Sequence, residues 1–429
     1  MIKLALIHPG QGSQYAAMGR KFYNSYGFVR DIINEASDTL SIDMKNLLFS
    51  GTMDELTHSG NAQPAIVTAT YAIFSAYMHE VGLEPCCAAG HSLGEISALV
   101  CAGSIQFKDA LLFTRKRGAL MQQAFERKKG NLALVMGCPL EKLDPVIEAI
   151  NKNSGYCTIA CYNTPLQYLV AGEKESIKEV KREIKKLKAE FVPFSMIPMK
   201  VDAPFHSALM DFIEDDIKGE LAYLNFSKMK WNVYSNVTAR PYNNENDIID
   251  NLTKQLTNPV KWTHILSAMV DEGVTHVIEI GPQYVLRQMV QDNTDKPAVF
   301  SYDVDSDAQA LRDSINLPEE KIESTLRRCL AFLASTPNNG RVPDEIFKRD
   351  VVETYTFIKE LVEDRQFDRL HLTSSLDRVF KALKVKQTEE SEYNDIAGSL
   401  ITSSDQLNQE LYDLAASHGV MERVVHGRK

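Results

Sequence analysis

The stretch Cys87-Ala88-Ala89-Gly90-His91-Ser92-Leu93-Gly94-Glu95-Ile96-Ser97-Ala98-Leu99-Val100 most limits what this chain can fold into. Small and apolar residues run up to Gly90, a serine stands between two glycines, and helix-forming residues follow, the pattern of a strand, a sharp turn and a helix. A side chain at 90 or 94 would collide where strand and helix cross, and the serine has to tolerate a strained backbone. The product is an exposed hydroxyl at a helix start, where free N–H groups and the positive dipole end suit an oxyanion. A bare Gly-x-Ser-x-Gly also marks an ordinary glycine-bounded turn, so the remaining chain has to separate the two.

On either side of this turn, strand and helix patterns alternate. Ile2 to His8 is an apolar, β-branched run ending at Pro9-Gly10-Gln11-Gly12-Ser13-Gln14, a buried strand entering a glycine-rich turn. That turn lacks the lysine of a phosphate-binding loop and a full G-x-G-x-x-G, which disfavours nucleotide binding and leaves a plain turn open. Ala65 to Glu80 reads as a core helix with Pro64 near its first turn, and Phe107 to Met121 as a helix ending in Arg115, Lys116 and Arg117, ordinarily a solvated face. Residues 131–193 then run strand, helix, strand, strand, helix, strand, the ferredoxin-like order. Strands follow at Trp231 to Val237 and Val274 to Pro282, with a turn into a helix at Lys254 to Trp262.

The predicted fold is α/β: a hydrolase-like, mostly parallel sheet covered by helices, with an inserted ferredoxin-like subdomain and a C-terminal helical extension. The expected boundaries are 1–130 with 196–304 for the large domain, 131–195 for the small one and 305–429 for the extension. Within the extension, Pro318 opens a helix carrying Leu326, Leu330 and Leu333. Further apolar stripes are Val351, Tyr355, Ile358 and Val362, then Leu372 to Leu383, then Ile396 to Val425. No catalytic pattern occurs there.

With 429 residues, 44% of them hydrophobic, the chain supports one large core and at least one further unit. No apolar run is long enough to cross a membrane and the N-terminus is not a signal peptide, which predicts a cytoplasmic protein with no membrane partner. A net charge of −10 argues against a general nucleic-acid binder. The seven cysteines include no pair of C-x-x-C units and read as reduced core thiols; the scattered histidines lack metal-ligand spacing.

Taken together, Gly10-Gln11-Gly12-Ser13-Gln14, Gly90-His91-Ser92-Leu93-Gly94-Glu95, Arg117-Gly118, Phe205-His206-Ser207 and Gln255-Leu256-Thr257-Asn258-Pro259-Val260-Lys261-Trp262 resemble the malonyl-CoA:acyl-carrier-protein transacylase family. Free-standing, trans-acting acyltransferases of polyketide synthases are part of it. The resemblance covers about Met1 to Phe300 and excludes the extension. It implies Ser92 as nucleophile and His206 as base, oriented by the backbone carbonyl of Gln255, with Asp202 a weaker rival for that role. It also implies an oxyanion hole from the N–H groups of Gln11 and Leu93, and Arg117 as a two-pronged grip on the free carboxylate of the acyl group.

Phe205, Gln63, Asn163 and Cys161 fall at positions of the family's specificity pocket, Cys161 where an asparagine is usual. The bulky Phe205 resembles malonyl-selective members. The resemblance therefore implies transfer of a malonyl-type unit from CoA to the thiol of an acyl carrier protein in polyketide or fatty-acid synthesis, with the CoA thioester as donor and no bound cofactor or metal. Aminomalonyl, hydroxymalonyl or methylmalonyl units, an editing acyl hydrolase and a carrier-docking scaffold are the alternatives. Arg115, Lys116, Arg127, Lys128, Lys129 and the Lys174 to Lys188 helix are the candidate patch for an acidic carrier.

Overall fold

The structure is a computed structural model that describes residues 2–127, 130–193, 203–315, 319–340, 342–365, 367, 369–402 and 418. It divides into two compact units, Lys3–Ala310 and Leu311–Lys429, the second also containing Met1 and Ile2. In chain order the larger unit contains β1 (Leu4–His8), α1 (Ser59–Glu80), β2 (Cys87–Gly90), α2 (Leu93–Cys101) and α3 (Phe107–Arg127). There follow β3 (Asn131–Met136), α4 (Leu140–Lys152), β4 (Cys157–Thr164), β5 (Gln167–Gly172), α5 (Lys174–Lys186) and β6 (Glu190–Pro193). The last stretch has β7 (Asn232–Val233), α6 (Glu245–Lys254), α7 (Trp262–Asp271), β8 (His276–Glu279), α8 (Val285–Asn293), β9 (Ala298–Ser301) and α9 (Asp305–Ile315). The division at Ala310 falls inside α9.

All five residues of β1 are buried, as expected of a strand covered on both faces. It is the central strand of a parallel sheet of order β7-β2-β1-β8-β9. His8 pairs with Gly90, so β1 and β2 end side by side and their following turns leave the same carboxyl edge of the sheet. That edge is where α/β sheets carry their sites. The second sheet has the antiparallel order β4-β5-β3-β6, the ferredoxin-like arrangement. Ala133 and Val135 of β3 share a core with Leu143 and Ile147 of α4 and with Ile177, Val180 and Ile184 of α5, so both helices cover one face.

Two local expectations for this unit are corrected. Helix α1 begins at Ser59, which puts Pro64 inside it rather than near its first turn. The turn ahead of the proline has no side-chain cap and is held by burial, with Ser59, Gly60, Ala62 and Gln63 all inside the core. The strand expected over Trp231 to Val237 pairs with β2 at Asn232 and Val233 alone, because the chain turns back at Ser235, whose N–H donates to the Arg240 carbonyl at 2.9 Å, and Tyr234 bridges to Pro241 of the returning segment.

The smaller unit contains α10 (Glu319–Ser335), α11 (Glu353–Glu363), α12 (Arg369–Val385) and α13 (Glu390–Thr402) around a core that includes Leu326, Leu333, Ile358, Leu376 and Phe380. Tyr355, expected on the inner stripe, is 38% exposed. Val351, Ile358 and Val362 are buried as expected, and Thr354, three residues after Val351 and four before Ile358, takes the inward position between them. Lys386 donates to the carbonyls of Leu333 and Thr336 and so caps the end of α10. Pro318 as a helix start, and the chain from 403 toward Val425, lie outside the described residues apart from position 418.

Candidate active site

Ser92 occupies the N-cap of α2 with φ 52° and ψ −109°, a strained backbone at the tip of the turn. The flanking glycines are steric requirements. A Cβ on Gly90 would lie 1.9 Å from the Gly94 carbonyl carbon, and one on Gly94 would lie 2.0 Å from the His8 oxygen. Gly94→Ala is therefore expected to cost about 3 kcal/mol or more, because backbone rather than a flexible side chain would have to move. An unchanged urea midpoint would show that the crossing opens freely.

The hydroxyl of Ser92 stands 2.9 Å from His206 Nε2. On the other side of the ring, Nδ1 lies 2.7 Å from the Gln255 carbonyl oxygen. A carbonyl only accepts, so the proton sits on Nδ1 and Nε2 is left to accept from the serine. The side chain is buried, and the backbone of His206 has a φ of 59°. Burial drives its pKa down to about 3 against the pull of the Gln255 carbonyl, with the nearby positive Arg117 adding to the fall. The imidazole is consequently neutral at ordinary pH. Asp202, the rival orienting group, lies outside the described residues.

Arg117 projects from α3 and is 2% exposed. Its Nη1 donates to Gln63 Oε1 at 2.9 Å and its Nη2 to Gln255 Oε1 at 2.8 Å. Burial lowers its pKa to about 10, which leaves it charged. Gln63 thus does not line the pocket as expected. It lies behind the arginine, fully buried on α1, with its oxygen taken by Arg117 and its nitrogen donating to Met121 Sδ at 3.0 Å.

Ser92, His206 and Arg117 line one cavity of about 320 Å³, together with Gln11, Leu93, Cys161, Asn163 and Phe205. Leu93, the first residue of α2, has an N–H with no carbonyl four residues back to bond. The Gly10 turn lies against it, since a Cβ on Gly10 would come within 3.4 Å of the Leu93 nitrogen. Asn163 Oδ1 meets His91 Nε2 at 2.9 Å and its Nδ2 donates to Gln167 Oε1 at 3.2 Å, so this side chain is held in place. Burial pushes the Cys161 thiol well above its usual value, and it stays uncharged. Phe205 is buried in the wall beside the histidine.

Three residues that the sequence reading did not select complete the site. Asn236 accepts from the Ser92 N–H at 2.7 Å and donates to the Gly90 carbonyl at 2.7 Å, clamping both ends of the turn. Glu95 is fully buried and accepts from the Asn236 N–H at 3.0 Å, from Gln255 Nε2 at 2.6 Å and from the Tyr242 hydroxyl. Burial lifts its carboxyl to about 7 against these hydrogen bonds and the charge of Arg117. A lone acid in the apolar run Leu93-Gly94-Glu95-Ile96 was the available signal for Glu95; Asn236 and Tyr242 had none.

In the proposed carrier patch, Lys116 pairs with Glu220 at 3.7 Å and the Arg127 guanidinium lies 4.1 Å from the Phe212 ring centre. On α5, Lys178 and Lys186 pair with Glu175 and Glu183. Lys128 and Lys129 lie outside the described residues. All seven cysteines are free, and only Cys86 is not buried. Among the described residues no three His, Cys, Asp or Glu side chains form a metal-holding group, and no helix is long and apolar enough to cross a membrane.

A malonyl CoA-acyl carrier protein transacylase of Bacillus subtilis is 37% identical over 314 residues, covering 73% of this chain and 77% of that protein. One from Staphylococcus aureus is 35% identical over 291 residues, covering 68% and 92%. Among solved structures, a malonyl-transacylase in complex with its type II polyketide synthase acyl-carrier protein aligns with a TM-score of 0.68 at 31% identity, over 72% of this chain and 99% of that one. An acyl carrier protein S-malonyltransferase from Vibrio cholerae gives 0.68 at 32%, over 72% and 99%. The family model of the acyl transferase domain matches residues 5–315, from the first strand of the parallel sheet through the serine turn to the end of α9, and the chain belongs to that family.

Proposed function

We propose that this protein is an acyltransferase that moves a malonyl unit from CoA to the phosphopantetheine thiol of an acyl carrier protein, in fatty-acid or polyketide synthesis. One observation carries the reading: a serine hydroxyl 2.9 Å from a neutral histidine shares a cavity with a buried, charged arginine. The relatives named as malonyl transacylases support the same reaction.

His206 Nε2 takes the proton of Ser92 as Oγ attacks the thioester carbon. The resulting oxyanion is held by the N–H groups of Gln11 and Leu93. Collapse breaks the carbon–sulfur bond, and protonated His206 returns its proton to the departing CoA thiol. The acyl-serine is then opened by the carrier thiol, whose proton passes to the same nitrogen, and the second collapse restores the serine. Arg117 grips the distal carboxylate throughout; its planar fork matches a carboxylate in two places. This charge separates the reading from a general editing hydrolase, whose acyl chains bring no such anion. The reading is of a cytoplasmic enzyme with no bound cofactor, since the CoA thioester is its substrate.

Phe205 in the cavity wall favours an unsubstituted malonyl unit, packing being worth about 1–3 kcal/mol against an added methyl. Intact-mass measurement after exposure to equal malonyl- and methylmalonyl-CoA is expected to find mainly the malonyl adduct. Addition of holo carrier protein should then move it to the carrier. Release as free malonate with little carrier labelling would favour the hydrolase, and no adduct at all would end both readings.

A further inference from the structure

We propose that Glu95 is a positioning residue for acyl-group selection: through the side-chain amide of Gln255 it supplies the counter-charge of Arg117 at one remove, leaving the guanidinium free to take the substrate's carboxylate. This inference rests on the malonyl reading above.

Arg117 is a buried cation, yet among the described residues no carboxylate lies within ion-pair distance of it. Its two Nη contacts are both to amide oxygens, those of Gln63 and Gln255. Neutral acceptors aim a guanidinium without cancelling its charge. A carboxylate at the same place would form the two-pronged pair that the substrate has to form, and would compete with it.

The burial of an uncompensated cation is costly, and Glu95 answers that need from behind. Gln255 Nε2 donates to Glu95 Oε2 at 2.6 Å and to the Ser92 carbonyl at 2.8 Å, while Gln255 Oε1 faces Arg117. Both Glu95 oxygens accept, Oε1 from the Asn236 N–H and the Tyr242 hydroxyl and Oε2 from Gln255 Nε2, so above pH about 7, where the carboxyl is ionised, Glu95 settles which way the amide points: NH₂ toward the acid, oxygen toward the arginine. Flipped, the amide would set its own donors against the guanidinium.

Glu95 is in turn held by the Asn236 N–H and the Tyr242 hydroxyl, both donors. It is absent from the cavity lining, so it acts on the acyl group through Gln255 and Arg117 without touching it. The backbone carbonyl of the same Gln255 orients His206, so one residue carries both the base's support and the arginine's aim.

The test is kcat/KM of the full chain, measured above pH 7 so that Glu95 is ionised, with malonyl-CoA and with acetyl-CoA, which lacks the distal carboxylate. In Glu95→Gln one of the three donors meets an NH₂ group and the buried charge is gone. The malonyl-to-acetyl ratio is expected to fall at least about tenfold, mainly through KM for malonyl-CoA. An unchanged ratio, whether both rates fall together or neither does, would overturn the proposal and leave Glu95 as scaffolding. Should Glu95→Gln fail to fold, Gln255→Glu sets a carboxylate directly against Arg117; a tenfold loss in the ratio is expected, and an unchanged ratio overturns the proposal equally. A wild-type enzyme that malonyl-CoA does not acylate sinks the parent reading and this one with it, whereas normal acylation with an unchanged mutant ratio sinks this one alone.

Discussion

Ser92→Ala protein exposed to malonyl-CoA is expected to gain no acyl mass, and its transfer rate is expected to fall by about 10⁴-fold or more. Neither of the other candidate nucleophiles lining the cavity replaces the hydroxyl that faces His206 Nε2: the Ser13 hydroxyl donates to the Gly10 carbonyl at 2.8 Å, and the thiol of Cys161 is held protonated by burial. His206→Ala should lose a comparable factor, because the serine would have no base and the leaving thiol no acid. An acyl adduct on Ser92→Ala at the wild-type level would refute the assignment. The pH dependence adds a second constraint. With the His206 pKa lowered from 6.5 to about 3, the base is already neutral across the physiological range, so acylation should show no inflection near 6.5. The same shift acts on stability: the unfolded histidine takes up a proton below about 6.5 that the folded one refuses. Its contribution is therefore intact above 6.5 and is lost as pH falls toward 3.

Arg117→Ala is expected to reduce kcat/KM for malonyl-CoA by about 10²–10³-fold while acetyl-CoA loses much less. The magnitude follows from the site: a two-pronged, charge-assisted contact made away from water is worth about 3–4 kcal/mol, far above a surface pair. Arg117→Lys should recover only part of the loss. An ammonium is a point charge that cannot contact Gln63, Gln255 and the substrate carboxylate in one plane, as the guanidinium fork can. Equal losses on both donors would mean that Arg117 holds the fold of the site and does not read the acyl group.

Much of this architecture was legible because it rests on local chemistry. The glycines at 90 and 94 follow from the turn around Ser92, and the distances of 1.9 and 2.0 Å to backbone give the reason. The apolar run of β1 and the βαββαβ order of residues 131–193 announce a covered parallel strand and a ferredoxin-like sheet, since side-chain period and element order are properties of the chain itself. What failed was register and ends. Pro64 lies within its helix because burial of the turn before it outweighs a local preference, and Tyr355 faces outward because Thr354, at equally good helical spacing, takes the place between Val351 and Ile358.

The sequence by itself determined the kinds of group available: a serine on a tight turn, a histidine after a phenylalanine, an arginine before a glycine, and a glutamine far along the chain. Only the tertiary structure decided their partnerships. The β1–β2 pairing sets two turns side by side, the return of the chain at Ser235 brings Asn236 to the serine turn, and the burial of α1 puts Gln63 behind Arg117. Glu95, a single acid in an apolar helix, became meaningful only when Gln255, 160 positions away, closed the path to Arg117. Hydrogen-bond partners at such separation depend on how the elements pack, and that packing leaves no periodic trace in the chain.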